Sequence, residues 1–214
     1  DSTRVLTASD DGTARVWQTG TGTLEVGPLQ HSSAVLAAHF GEHGDRIVTQ
    51  SADHTVRLWD AKTGRPLAEP IRLDTAIQSA APSPDGAFVA VAARDRSVRI
   101  WDARLRAALT ARLEHRESVH QLQFSSDGRW LATASADHSA RIWDTQTALP
   151  VTAPLRHAAP VGALHFDARG RLLTVSLDGS ATVWSREGPD TAKGERLKTM
   201  KKISAAEISA DGAR

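Results

Sequence analysis

Serine, histidine and aspartate, the side chains of a hydrolytic triad, occur together several times in this 214-residue chain. His31, Ser51 and Asp53 form one set, His115, Ser135 and Asp137 a second, and His157, Ser176 and Asp178 a third. An enzyme needs its nucleophile, base and orienting carboxylate to meet only once. Here the set recurs, each time followed by a tryptophan: Trp59, Trp143 and Trp184. Recurrence argues for a structural network, and no catalytic residue is expected. Ser9, Asp11 and Trp17 carry a shorter version of the set, and Asp95 and Trp101 a shorter one still. Thr7, Thr49, Thr133 and Thr174 lie two residues before the serines on the same strand face, so either hydroxyl could take part.

The elements that position these residues are legible from the tryptophans. Trp17, Trp59, Trp101, Trp143 and Trp184 are spaced by 42, 42, 42 and 41 residues, and Asp11, Asp53, Asp95, Asp137 and Asp178 keep step six residues earlier. Each tryptophan closes an alternating run such as TVRLW or SVRIW, which reads as a strand. A second apolar run precedes it across a tight aspartate turn, giving a hairpin. A third run lies upstream (AVLAAHF, SVHQLQF, PVGALHF), and a fourth follows each tryptophan, with Pro28, Pro70 and Pro154 in it eleven residues past Trp17, Trp59 and Trp143. Proline lacks the N–H that a central ladder requires, so this fourth strand is expected at an edge. The repeat therefore reads as a four-stranded antiparallel sheet.

Period, turn chemistry and the dipeptides Trp59-Asp60, Trp101-Asp102 and Trp143-Asp144 resemble the WD-repeat β-propellers over essentially the whole chain. The resemblance implies an all-β fold of five four-stranded antiparallel blades, 20 strands in all, standing around a channel and forming part of a larger ring of about seven blades. The expected blades are residues 3–29 (lacking the innermost strand), 34–71, 76–113, 118–155 and 160–200, with 203–208 the innermost strand of the next or the first blade. Wedges of about 51° and 72° separate seven- from five-bladed rings, a large change for unchanged packing between blades. Asp1 at the start and Met200 as the single methionine read as a cut or processed chain.

In the family, a relay of hydrogen bonds runs from the tryptophan N–H through a strand hydroxyl and the histidine to the turn aspartate. The third repeat tests it. Leu73 stands at its histidine position, Ala93 at its serine and Val91 at its threonine, a paired loss that a connected network predicts. Arg15, Arg57, Arg99 and Arg141 recur two residues before Trp17, Trp59, Trp101 and Trp143 and read as contacts between blades. His54 and His138 are expected to serve tight turns. His39, Gln123, His165 and Glu207 share one position of the innermost strand, facing the channel; side chains satisfied without a metal are expected, and no cofactor.

The net charge of +1 excludes a strongly basic nucleic-acid arm, and nucleic acid is not expected as a partner. The segment from Arg186 to Lys202 holds six basic residues diluted by acidic ones and reads as solvated loop and edge. No apolar run approaches the roughly 18 residues that span a bilayer, so no membrane role is expected. With no cysteine, the redox compartment stays open, the cytoplasm being favoured.

By resemblance, the narrow rim binds protein segments, and three positions per blade face it. The distinctive residues there are Arg94, Arg116 and Asp74, with Asp10 and Lys202. They predict a non-catalytic scaffold for a protein or peptide partner, acidic or phosphorylated, held by arginine forks. Self-association through exposed blade faces is expected of a partial ring. Bacterial-type arrays of this kind also occur as regulatory or sensory modules beside a kinase or NTPase domain; no such loop is present in this sequence. A ligand-binding or hydrolytic propeller is the third reading.

Overall fold

Each repeat folds as an antiparallel sheet because its apolar residues alternate in short runs divided by turns that only a few residue types tolerate. The computed structural model describes residues 3–41, 43–102, 113–188 and 191–197. The first sheet holds β1 (Arg4–Ala8), β2 (Thr13–Gln18) and β3 (Leu24–Gln30). The second holds β4 (Val35–Phe40), β5 (Arg46–Ser51), β6 (Thr55–Asp60) and β7 (Ile71–Arg72). The third holds β8 (Ile77–Pro82), β9 (Phe88–Ala93), β10 (Ser97–Asp102) and β11 (Leu113–Glu114). The fourth holds β12 (Val119–Phe124), β13 (Trp130–Ser135), β14 (Ser139–Asp144) and β15 (Leu155–Arg156), and the fifth β16 (Val161–Phe166), β17 (Leu172–Ser176), β18 (Ala181–Gly188) and β19 (Thr191–Arg196). Strands follow one another in chain order within every sheet. The described residues therefore make 19 strands. The strand expected at 203–208 lies outside them, as do Lys202 and Met200.

Pro28 sits inside the edge strand β3, whereas Pro70 and Pro154 immediately precede the two-residue strands β7 and β15. A residue without N–H cannot extend the ladder, so these edges begin one residue later.

The sheets stack face to face, and the period-2 alternation divides each central strand between two neighbours. Ala14, Val16 and Leu29 of the first sheet pack with Ile47 and Trp59 of the second. Val48, Val56 and Leu58 on the other face of the second meet Ile77, Val89 and Val91 of the third. The pattern repeats as Ala90, Val98 and Ile100 meet Leu131 and Trp143, and as Ala132, Ala140 and Ile142 meet Val161 and Leu172. Both faces being covered explains why β5, β9 and β13 are buried from their second residue onward.

The hairpin turns are set by one carboxylate. Asp53 Oδ1 accepts the Thr55 backbone N–H at 3.0 Å and its hydroxyl at 2.6 Å, and Asp11, Asp95, Asp137 and Asp178 do the same with Thr13, Ser97, Ser139 and Ser180. The residue between must be left-handed. Gly12 (φ 83°) and Gly179 (φ 81°) adopt this freely, while His54, Arg96 and His138 hold φ of 64°, 68° and 66° against the preference of L-residues. His138 is exposed. His138→Gly is expected to raise stability by about 0.5–1 kcal/mol, the relief of left-handed strain outweighing the added freedom of the unfolded chain. A lower urea midpoint than wild type would refute it.

A one-residue β-bulge recurs in each complete inner strand, at Leu36, Gln78, His120 and Gly162. It re-aims those residues at the end of the sheet where the aspartate turns lie.

Candidate functional site

The fourth sheet shows the internal network in full. Trp143 Nε1 donates to Thr133 Oγ1 at 3.0 Å, Thr133 meets His115 Nε2 at 2.7 Å, and His115 Nδ1 meets Asp137 Oδ2 at 2.9 Å. One proton arrangement satisfies every member: indole N–H to hydroxyl, hydroxyl to Nε2 of a neutral imidazole, and Nδ1–H to carboxylate. Asp137 Oδ2 also accepts the Arg116 backbone N–H at 3.0 Å, so the network ends by fixing the loop that leads into β12.

Its geometry is that of a threonine–histidine–aspartate triad, but Thr133 is 0% exposed and its oxygen is already committed to Trp143. No substrate carbonyl can reach it. The serines stand elsewhere. Ser51, Ser135 and Ser176 donate to the carbonyls of Ser33, Glu117 and Ala159 at 3.1, 3.2 and 3.1 Å. Ser51 and Ser135 also accept the N–H of the turn aspartate, both at 3.1 Å. The hydroxyl between tryptophan and histidine is thus threonine's, the choice the sequence left open, and the serines hold the neighbouring loop and turn instead. Both residues point to one strand face, and only the threonine stands opposite the arginine that is two residues from the tryptophan: Thr49 pairs Arg57 and Thr133 pairs Arg141.

Completeness varies from sheet to sheet. In the second, Trp59 reaches Thr49 at 2.8 Å and Thr49 reaches His31 at 2.6 Å, but His31 Nδ1 lies 3.1 Å from Thr55 Oγ1 and 3.5 Å from Asp53. In the fifth, Trp184, Thr174 and His157 are joined at 2.8 and 2.9 Å, and His157 makes no hydrogen bond to Asp178, which is exposed. In the first, Trp17 donates to Thr7 at 2.9 Å on an exposed face, Thr7 donating onward to the Arg15 carbonyl at 3.3 Å. Ser9 Oγ accepts the Asp11 N–H there at 3.2 Å.

The third sheet lacks the middle of the network. Leu73 and Val91 pack in the apolar cluster with Trp101, and the buried Trp101 Nε1 has no hydrogen-bond partner among the described residues. Asp95 keeps its turn role toward Ser97.

Burial pushes His31, His115 and His157 below the usual imidazole range, outweighing the aspartates that pull the other way. Burial also opposes ionisation of Asp53 and Asp137. Bonds from Thr55 and the Ser32 N–H to Asp53, and from Ser139, the Arg116 N–H and His115 to Asp137, prevail and hold both at about 2. Asp11, hydrogen-bonded by Thr13 and then Arg15, is also at about 2.

Three of the four repeated arginines meet residues of their own sheets. Arg15 pairs with Asp11 at 3.0 Å, and the Arg57 and Arg141 guanidinium carbons lie 5.9 and 5.6 Å from the ring centroids of Trp59 and Trp143. Contacts between sheets come instead from Arg4 and Arg46, which donate to the carbonyls of Gly44 and Gly86, and from Gln121 and Gln123, which accept the N–H groups of Leu164 and Phe166 at 3.0 Å each. On the inner strands, His165 Nδ1 lies 3.3 Å from Gln123 Nε2, and Glu207 is outside the described residues. Among the described residues no three His, Asp or Glu side chains converge as a metal site, and no helix is long and apolar enough to cross a membrane.

What the internal network leaves over lies at the end of the sheets that carries the aspartate turns. Arg94, Arg116, Asp74 and Asp10 are all exposed there. Arg94 and Arg116 make no side-chain hydrogen bond or ion pair among the described residues. Arg96 joins them: its Nη1 donates to the Arg116 carbonyl at 3.2 Å and its Nε is 3.9 Å from Glu117. Sequence reasoning passed over Arg96. Its signal was an arginine in a turn position held elsewhere by glycine or histidine.

The WD domain, G-beta repeat (WD40) family model matches residues 1–18, 23–60, 72–102, 108–144 and 151–185. No curated protein matches. Among solved structures, the crystal structure of the computationally designed Ika8 protein is similar at a TM-score of 0.68 and 27% identity, over 87% of this chain and 56% of that one. The chain thus spans little more than half the length of that structure. Repeats of this family generally mediate protein–protein interaction. Five matched repeats, coinciding with five stacked antiparallel sheets, make this chain a member of the WD40-repeat family.

Proposed function

We propose that the chain is a non-catalytic scaffold that holds an acidic or phosphorylated segment of a protein partner on its rim, between Arg94 and Arg116. Two exposed guanidinium groups without partners among the described residues carry this reading. The network threonines and the turn aspartates are engaged internally, whereas these two offer planar donor forks suited to an oxyanion. The Arg116 backbone is fixed by Asp137, so one fork is presented from an anchored loop.

The non-catalytic half rests on the same division of labour. The histidines of the network bond buried threonines and its serines bond carbonyls, so among the described residues of the network no exposed nucleophile stands beside a base. The test uses immobilised short peptides bearing phosphoserine or a run of aspartates. Arg94→Glu with Arg116→Glu is expected to weaken capture at least about tenfold, the loss of charge-assisted bonds replaced by repulsion. Unchanged capture by the folded double variant ends the proposal.

A further inference from the structure

We infer, building on that reading, that the bound segment is phosphorylated and carries an apolar side chain that seats on Leu177 and Gly162 of the fifth sheet. Leu177 is 60% exposed, although the strand leading into it is buried throughout. It holds the same place before the turn aspartate that Arg94 holds in the third sheet and Ala136 in the fourth. The backbone fixes all three alike: Arg94, Ala136 and Leu177 donate to Ala76, Ser118 and Pro160 at 2.9, 3.0 and 2.9 Å. Arginine cluster and leucine therefore face the same way, with the fourth sheet between them.

Gly162 makes the seat. It is the bulged residue of β16, where the other inner strands carry Leu36, Gln78 and His120. A Cβ there would come within 2.8 Å of Leu177 Cδ2, and the backbone does not require glycine, since its φ is not in the left-handed region. The missing side chain lets Leu177 lie against the sheet end. Between seat and arginines run Ala136, Ser118, Ala158 and Pro160, small and uncharged, with His120 leaning across to the Val161 carbonyl. An extended segment can pass over them.

The anion is a phosphate. Glu117 already offers a carboxylate to Arg96, so a second carboxylate brings nothing new, whereas a phosphate of charge about −1.5 to −2 with three acceptor oxygens can engage Arg94 and Arg116 together.

The probes are labelled Gly/Ser peptides with one phosphoserine and one leucine stepped a residue at a time away from it, titrated by anisotropy against the full chain. One spacing is expected to bind about fivefold tighter than the leucine-free phosphopeptide, as partial burial of one apolar side chain predicts. Leu177→Ser and Gly162→Leu remove that gain while the leucine-free phosphopeptide binds as before; thermal melts check that both variants are folded. Arginine-dependent phosphopeptide binding with no preferred spacing, or a gain that survives Leu177→Ser, overturns this inference and leaves the rim reading standing. Equal binding of the matched aspartate peptides overturns the phosphate. Self-association abolished by Leu177→Ser, seen by light scattering, would give the seat to a second copy and overturn the inference. No phosphopeptide or acidic-peptide binding at all sinks the rim reading itself.

Discussion

His115→Leu is expected to destabilise the protein by about 2–3 kcal/mol, measured as a loss in the urea midpoint at pH 7.5. Leucine would fill the space, but Asp137 would lose the N–H that meets it at 2.9 Å and Thr133 the acceptor at 2.7 Å, in a site where Thr133 is fully buried and the Asp137 side chain only 6% exposed. The third sheet shows the other end of the same argument. Leucine is already in place there, and Val91 has replaced the threonine, so no hydroxyl is stranded. Among the described residues of that sheet, the Trp101 N–H is the one buried side-chain group left without a partner.

This predicts an unusual sign for Val91→Thr. A hydroxyl forced into a core ordinarily costs about 1–3 kcal/mol. Here Val91 pairs with Arg99 as Thr133 pairs with Arg141, so the new Oγ would accept from Trp101 and donate to the Arg99 carbonyl, as Thr7 does with Trp17 and Arg15. Stability is expected to be unchanged or up to about 1 kcal/mol higher. Leu73→His alone, meeting valine, is not expected to stabilise; combined with Val91→Thr it should do better than the sum of the two. Additive single effects, or equal effects of His115→Leu and Leu73→His, would break the network argument.

The second large effect is acid destabilisation in two stages. His31, His115 and His157 are held neutral in the fold, below the ordinary value of 6.5 that the unfolded chain regains; His39 shifts the same way. Between those values the unfolded state binds more protons, so stability rises with pH. This contribution is complete above 6.5 and declines as the pH falls below it, each histidine adding at most about 1.4 kcal/mol per pH unit to the slope. Asp53 and Asp137, at about 2 against an ordinary 3.8, contribute above 3.8 and are lost as the pH falls toward 2. Urea midpoints between pH 7.5 and 3 should therefore fall in both windows, and His115→Leu should flatten the first. A midpoint independent of pH from 7.5 to 5.5 would contradict the neutral imidazoles.

Sequence periodicity by itself determined the strands, their order, the aspartate turns and the edge position of the proline strands, because each depends on residues within one repeat: alternation, a carboxylate two residues from its N–H, a missing amide hydrogen. It also marked the third repeat as odd and Arg94 and Arg116 as unlike their counterparts. Only the tertiary structure decided between serine and threonine, since both lie on one strand face and the choice is made by where a histidine from the preceding loop arrives. It returned Arg57 and Arg141 to their own tryptophans, gave the inter-sheet contacts to Arg4, Arg46 and the paired glutamines, and cut the network short at His157. The bulges that turn Gly162 toward Leu177 were equally illegible, for a bulge is one unpaired residue in a ladder and has no composition of its own. Contacts within a repeat are written in its spacing, whereas contacts between repeats depend on how two sheets settle against each other.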